Sequence, residues 1–78
     1  MKEIKREFQV KEGRNWRTEH VDTDITNIYR FLSGDLISKK INGSDFIRSI
    51  KRVNNYDGTQ TITVTYAMGT RNVYTIMS

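Results

Sequence analysis

Hydrophobic positions follow two periods along the chain. Most apolar runs alternate with polar residues, as in strands with one buried face, and one run recurs at helical spacing. Ile4, Phe8 and Val10 share one parity, with Lys5, Glu7, Gln9 and Lys11 on the other. This predicts a half-buried strand. Arg6 interrupts its apolar face, so a sheet edge or an end of the core is expected there. Glu12-Gly13-Arg14-Asn15 reads as a turn, because glycine takes positive φ without steric cost. Trp16 to Val21 predicts a second strand, with Trp16, Thr18 and His20 on one face and Arg17, Glu19 and Val21 on the other. Trp16 is its expected anchor.

Asp22-Thr23-Asp24 supplies a helix start: short side-chain oxygens accept from the free N–H groups of the first turn, and acidic charge suits that end of the dipole. Ile25, Ile28, Tyr29, Leu32 and Leu36 then fall on one helical stripe. Phe31 and Ile37 lie off it, and either widen the buried face or mark a surface patch. An interior Gly34 costs about 1 kcal/mol relative to alanine, so the helix either continues to Lys39 or breaks at Ser33-Gly34. Lys39 and Lys40 suit a helix C-terminus, and Asn42-Gly43 ends the element.

The last third, from Phe46 to Ser78, predicts an antiparallel meander of three strands. Phe46 to Val53 has no clean face, which implies a bulge or two partly covered faces. Phe46 and Ile50 share one side with Arg48 and Arg52, against Ile47, Val53, Ser49 and Lys51. A turn at Asn-Asn-Tyr-Asp-Gly follows. Ile62, Val64 and Tyr66 face inward, and Thr61, Thr63 and Thr65 face outward. A two-residue loop at Met68-Gly69 would pair Val64 with Val73. A three-residue loop would pair Val64 with Tyr74 and Ile62 with Ile76; it aligns more apolar bulk and is the expected register. The fold class is α+β, ordered ββαβββ, with one helix packed on one face of a five-stranded antiparallel sheet.

At 78 residues the chain is read as a single domain spanning 1–78. Most of its apolar residues are committed to one sheet face, which leaves few to line a catalytic pocket. It contains no cysteine, which excludes disulfides and thiolate metal sites. No apolar run approaches the roughly 20 residues that cross a bilayer, and the N-terminus lacks the apolar segment of a secretory signal. A soluble, cytoplasmic protein without a membrane partner is expected. Asn42-Gly43-Ser44 matches a glycosylation sequon but reads as a turn.

Catalytic signatures are sparse. His20 is the only histidine. Asp22 and Asp24 form an Asp-x-Asp pair that could hold a cation through oxygen, but helix capping accounts for both. None of Ser33, Ser38, Ser44 and Ser49 lies in a nucleophile turn, and no glycine-rich phosphate loop is present. Glu3, Glu7, Glu12 and Glu19 fall in charged surroundings unsuited to a paired-carboxylate site. No enzyme, metal or cofactor is expected.

Thirteen Lys and Arg against nine Asp and Glu give a net charge of +4, which favours acidic partners. Arg48, Lys51 and Arg52 cluster on the third strand, and Arg14 and Arg17 flank the first hairpin turn. Tyr56, after the third strand, can stack on a base or fill a partner's pocket, and Trp16 joins these if exposed. Such a face could grip an acidic protein surface or single-stranded nucleic acid. The plainer alternative is a solvated strand whose charges discourage edge-to-edge aggregation. A homodimer through a strand edge, or through Phe31 and Ile37, is a third reading.

The chain resembles the small, cysteine-free accessory proteins of phages and mobile elements of low-GC bacteria. The likeness lies in its size, its Asn/Ile/Lys/Thr/Tyr-rich composition, and the meander from Thr61–Tyr66 through Val73–Ile76. Such proteins often bind and block a host factor, including defence nucleases. The resemblance implies a non-enzymatic binding protein, an inhibitor or adaptor, and carries no residue role with it. The alternative is a nucleic-acid-binding module using the same basic face.

Overall fold

A computed structural model describes residues 3–37 and 46–77. The elements are β1 (Glu3–Glu12), β2 (Asn15–Asp22), α1 (Ile25–Ile37), β3 (Ile47–Asn54), β4 (Gln60–Tyr66) and β5 (Thr70–Met77). All five strands form one antiparallel sheet in the order β2-β1-β5-β4-β3, with α1 on one face. This is the α+β, ββαβββ arrangement expected from the pattern. The sheet order comes from a non-local pairing: β1 lies against β5, so Glu3 and Met77 are partners inside the sheet.

The core is small. Ile4, Ile28, Leu32, Ile47, Ile62, Val64 and Tyr74 are buried, with Leu36, Ile50, Tyr66 and Ile76 packed against them. Asp24 caps α1: its Oδ1 accepts from the Asn27 amide at 3.0 Å, and its carbonyl accepts from the Ile28 amide at 2.9 Å. Asp22 does not cap, contrary to expectation; its carboxylate turns toward Arg6 and His20. The helix runs unbroken through Gly34. Tyr29 lies on the apolar stripe yet is exposed. The side chain of Ile37, and Lys39, Lys40 and Asn42-Gly43, lie outside the described residues.

Two bulges decide which side chains face inward. In β2, Glu19 is the extra residue: Phe8 pairs with His20, but Gln9 pairs with Thr18. His20 and Asp22 therefore face the helix, while Trp16 and Thr18 face the other way. The expected common face for Trp16, Thr18 and His20 does not form, and Trp16 is no core anchor. In β3, Arg48 is the extra residue between Ile47 (opposite Tyr66) and Ser49 (opposite Thr65). Here the expected bulge is present. It brings Ile47 and Ile50 to the same face, although plain alternation separates them, and leaves Phe46 and Val53 exposed.

The β4–β5 hairpin has a three-residue loop, Ala67 to Gly69, yet neither expected register occurs: Ile62 pairs with Tyr74 and Val64 with Asn72. The turn sets this. Gly69 adopts φ +91° and its amide reaches the Tyr66 carbonyl at 3.4 Å, a glycine-bulge closure that fixes Tyr66 opposite Thr70. The inward parity of Tyr74 and Ile76 is as expected. Arg6 is likewise not at a sheet edge. It sits mid-sheet, opposite Tyr74 on one side and Asp22 on the other. The core does end there, because Phe8, one step further, is only half-buried.

Candidate binding site

Arg48, Lys51 and Arg52 lie together on edge strand β3. Arg48 occupies the bulge, Lys51 pairs with Thr63 on the open face, and Arg52 pairs with Ile62 on the helix side. Tyr56 stands fully exposed at the tip of the β3–β4 turn. Arg14, Trp16 and Arg17 lie at the opposite edge, on β2 and its turn. Four strand spacings separate the two edges, roughly 19 Å. The structure therefore divides the expected basic surface into two groups. Arg17 is ion-paired with Glu12 at 2.8 Å and approaches Glu19 at 4.0 Å. Trp16 is half-buried on the open face, where the Arg71 guanidinium lies 4.2 Å from its ring centroid.

Charge is divided the same way. β3, β4 and β5 carry Arg48, Lys51, Arg52 and Arg71, with no Asp or Glu. β1 and β2 carry Lys5, Arg6, Lys11 and Arg17 against Glu3, Glu7, Glu12, Glu19 and Asp22. Among the described residues the ion pairs all fall on β1 and β2. The β3 cations have no carboxylate partner there.

A second feature lies on the helix side. Few apolar residues were expected to remain for lining a pocket, yet Phe8, Phe31 and Tyr66 join Arg6, His20, Thr70 and Asn72 to line an open cleft of about 480 Å³. Its floor is one row across the sheet, in which Asn72, Phe8 and His20 are successive partners on β5, β1 and β2. Asp35 of α1 reaches this row at Asn72, and Val64, the next partner along it, is fully buried, whereas the row opens toward exposed His20.

Two polar networks frame the cleft. In the first, Asp35 of α1 accepts from three sheet side chains. Tyr74 Oη donates to Oδ2 at 2.5 Å, Asn72 Nδ2 donates to Oδ2 at 3.1 Å, and Tyr66 Oη donates to Oδ1. Burial pushes the Tyr74 hydroxyl well above the ordinary tyrosine range, and the hydrogen bond to Asp35 adds to this. In the second, Asp22 holds Arg6 through one oxygen and His20 Nε2 through the other, the latter at 2.7 Å. Burial works to raise the Asp22 pKa. The hydrogen bonds and charges of Arg6 and His20 outweigh it and hold the carboxyl below the usual range. Phe31 closes over the Arg6 guanidinium at 4.3 Å. That ring face replaces a hydrogen-bond partner for the buried Nε, which has none among the described residues.

Pattern reading missed Asp35, Asn72 and Arg71. Asp35 had a legible signal, an acid seven residues after Ile28 and three after Leu32, on the buried stripe. Among the described residues no group of three or more His, Cys, Asp or Glu could hold a metal ion, and no helix is long and apolar enough to cross a membrane. Ser49 lies on the open face and Ser33 is exposed on α1, both away from the His20 row, whereas Ser38 and Ser44 lie outside the described residues. Comparison with protein-family models, curated proteins and solved structures finds no match.

Proposed function

We propose that the chain is a non-enzymatic binding protein that sets the carboxylate-free half of its sheet against an acidic protein surface. It acts as an inhibitor or adaptor by occupying that surface, in the manner of phage accessory proteins. The charge division between β3–β5 and β1–β2 carries this reading. Like charges on an edge strand, without a carboxylate partner among the described residues, steer an oppositely charged partner and select its orientation. The bulge at Arg48 and the exposed ring of Tyr56 add the residue types that anchor interfaces. Among the described residues no strand pairs with the outer edge of β3, whose backbone groups suit an added strand. Arg14, Arg17 and Trp16 fall outside this patch.

One observation favours nucleic acid as a second reading. On the open face, Ser49, Thr61, Thr63, Thr65 and Thr75 stand among Lys51 and Arg71, and hydroxyls and cations are the usual partners of phosphate oxygens.

The test compares the native chain with the triple variant R48E/K51E/R52E, using polyglutamate and a single-stranded oligonucleotide as probes at increasing salt. The native chain should bind polyglutamate at low salt, and the variant should not, while keeping its circular dichroism spectrum. Tighter binding to the oligonucleotide, with log affinity falling about 0.7 per phosphate against log salt, selects the second reading. Failure to bind either probe ends both.

A further inference from the structure

We propose that the cleft beside α1 binds an uncharged nitrogen heterocycle of the nucleobase class, by stacking on Phe8. Phe8 lies between Asn72 and His20 in one inward-facing row. Side chains on neighbouring strands of a row stand about 5 Å apart. A planar ring laid on Phe8 therefore meets a polar group at each of two opposite edges. Phe31 and Tyr66 wall the same space, and Thr70 adds a hydroxyl.

The polar groups retain capacity for a ligand. Asn72 commits Nδ2 to Asp35 and Tyr66, and that fixes the amide with Oδ1 as the remaining acceptor. His20 commits Nε2 to Asp22, so Nδ1 remains. Thr70 Oγ1 has no hydrogen bond among the described residues. An acceptor, a hydroxyl and a ring nitrogen around an aromatic platform match a ring that carries both donors and acceptors on its rim. A plain hydrocarbon ring would leave these groups unpaired, and that costs affinity. The volume of about 480 Å³ lies inside the roughly 300–1,000 Å³ range of small-molecule sites.

Electrostatics selects against an anion. Arg6 faces the cleft, but its charge is matched by Asp22. Asp35 lies behind Asn72 and Tyr66 and has no cationic partner among the described residues. A phosphate entering here would meet an excess carboxylate. The base of a free nucleoside and the base of a nucleic-acid strand share this recognition chemistry, so both sources enter the test.

Adenosine, cytidine, adenosine monophosphate, benzyl alcohol and a single-stranded oligonucleotide would be titrated separately into isotope-labelled full-length protein, following backbone and side-chain amide shifts. Adenosine or cytidine should shift Phe8, His20, Thr70 and Asn72 with a Kd tighter than about 1 mM. Adenosine monophosphate should bind more weakly than adenosine. Benzyl alcohol should bind at least about tenfold more weakly, the worth of one hydrogen bond. His20→Ala and Thr70→Val, both at positions outside the core, should each weaken the nucleoside about tenfold. Cleft shifts with the oligonucleotide alone would assign the base to a strand. The proposal is overturned if neither nucleoside nor oligonucleotide moves the cleft residues at about 10 mM base, or if benzyl alcohol matches adenosine. The R48E/K51E/R52E variant should bind nucleoside unchanged, so failure here is distinct from failure of the β3 surface.

Discussion

Tyr74 donates a 2.5 Å hydrogen bond to Oδ2 of Asp35, tying the central strand of the sheet to the helix. Tyr74 is fully buried, so its hydroxyl has no water to turn to when that acceptor is lost. An unpaired buried polar group costs about 1–3 kcal/mol. Tyr66 and Asn72 also lose an acceptor but stay half-exposed, so water compensates in part. Asp35→Ala should therefore cost about 3 kcal/mol. A chain of this size has roughly 4–12 kcal/mol in total. Urea denaturation of the native chain, Asp35→Ala, Tyr74→Phe and the double variant measures this. A double variant no less stable than Tyr74→Phe alone would show that the carboxylate does no more than serve Tyr74.

The same pair sets the alkaline limit of the fold. The Tyr74 hydroxyl titrates above its ordinary value of 10.0 in the folded chain, through burial first and then through Asp35, against a smaller opposing effect of Arg6. The folded state thus holds this proton more tightly than the unfolded state does. Its stabilising contribution is complete below pH 10 and drains away as pH rises beyond it. Thermal melts from about pH 8 to 11 should show falling stability above about pH 10. Tyr74→Phe should be less stable at neutral pH but have a flatter alkaline limb. An unchanged slope in that variant would assign the limb to other groups.

Asp22 governs the acid side. Its pKa is depressed below the ordinary 3.8, burial being outweighed by Arg6 and His20. Here the unfolded state binds the proton more tightly. The contribution is present above pH 3.8 and is lost as pH falls through the lower folded value. Asp22→Asn should flatten the acid limb of a stability–pH curve below about pH 4. Arg6→Met should cost less than Asp22→Ala, because removing the carboxylate strands a largely buried guanidinium, whereas Met removes the charge and keeps contact with Phe31. The reverse order in chemical denaturation would mean that the Arg6–Phe31 contact outweighs the ion pair.

Local pattern carried the element order, and long-range pairing carried everything that local pattern missed. Ile62, Val64 and Tyr66 alternate cleanly with threonines, and their strand forms as that alternation dictates. The bulge in β3 was legible because its two faces were mixed. The bulge at Glu19 was not, because Trp16, Thr18 and His20 are all compatible with one half-buried face. Nothing within β1 or β5 encodes their mutual pairing, which depends on contacts some 70 residues apart in sequence between Glu3 and Met77. That pairing puts β2 and β3 at opposite edges, and so splits a basic surface that looked continuous along the chain. It also builds the cleft row from Asn72, Phe8 and His20, which no linear spacing brings together.

Gly34 offers a stabilising substitution that tests the helix itself. It lies inside α1, is exposed, has no positive φ, and an added Cβ would meet no atom within 4 Å. Alanine there restricts the unfolded chain and favours the helix, without any clash to offset the gain. Gly34→Ala should raise stability by about 0.5–1 kcal/mol. Gly69→Ala is the matched control. Its Cβ would also have room, with Lys11 Cβ 4.0 Å away, but φ of +91° strains any L side chain. That variant should lose about 1 kcal/mol or more and loosen the turn that sets Tyr74 opposite Ile62. Two glycines with similar free space and opposite expected signs separate backbone conformation from packing. If Gly34→Ala destabilises in urea, α1 does not run continuously through Ser33-Gly34 in solution, and the position of Asp35 over Tyr74 falls with it.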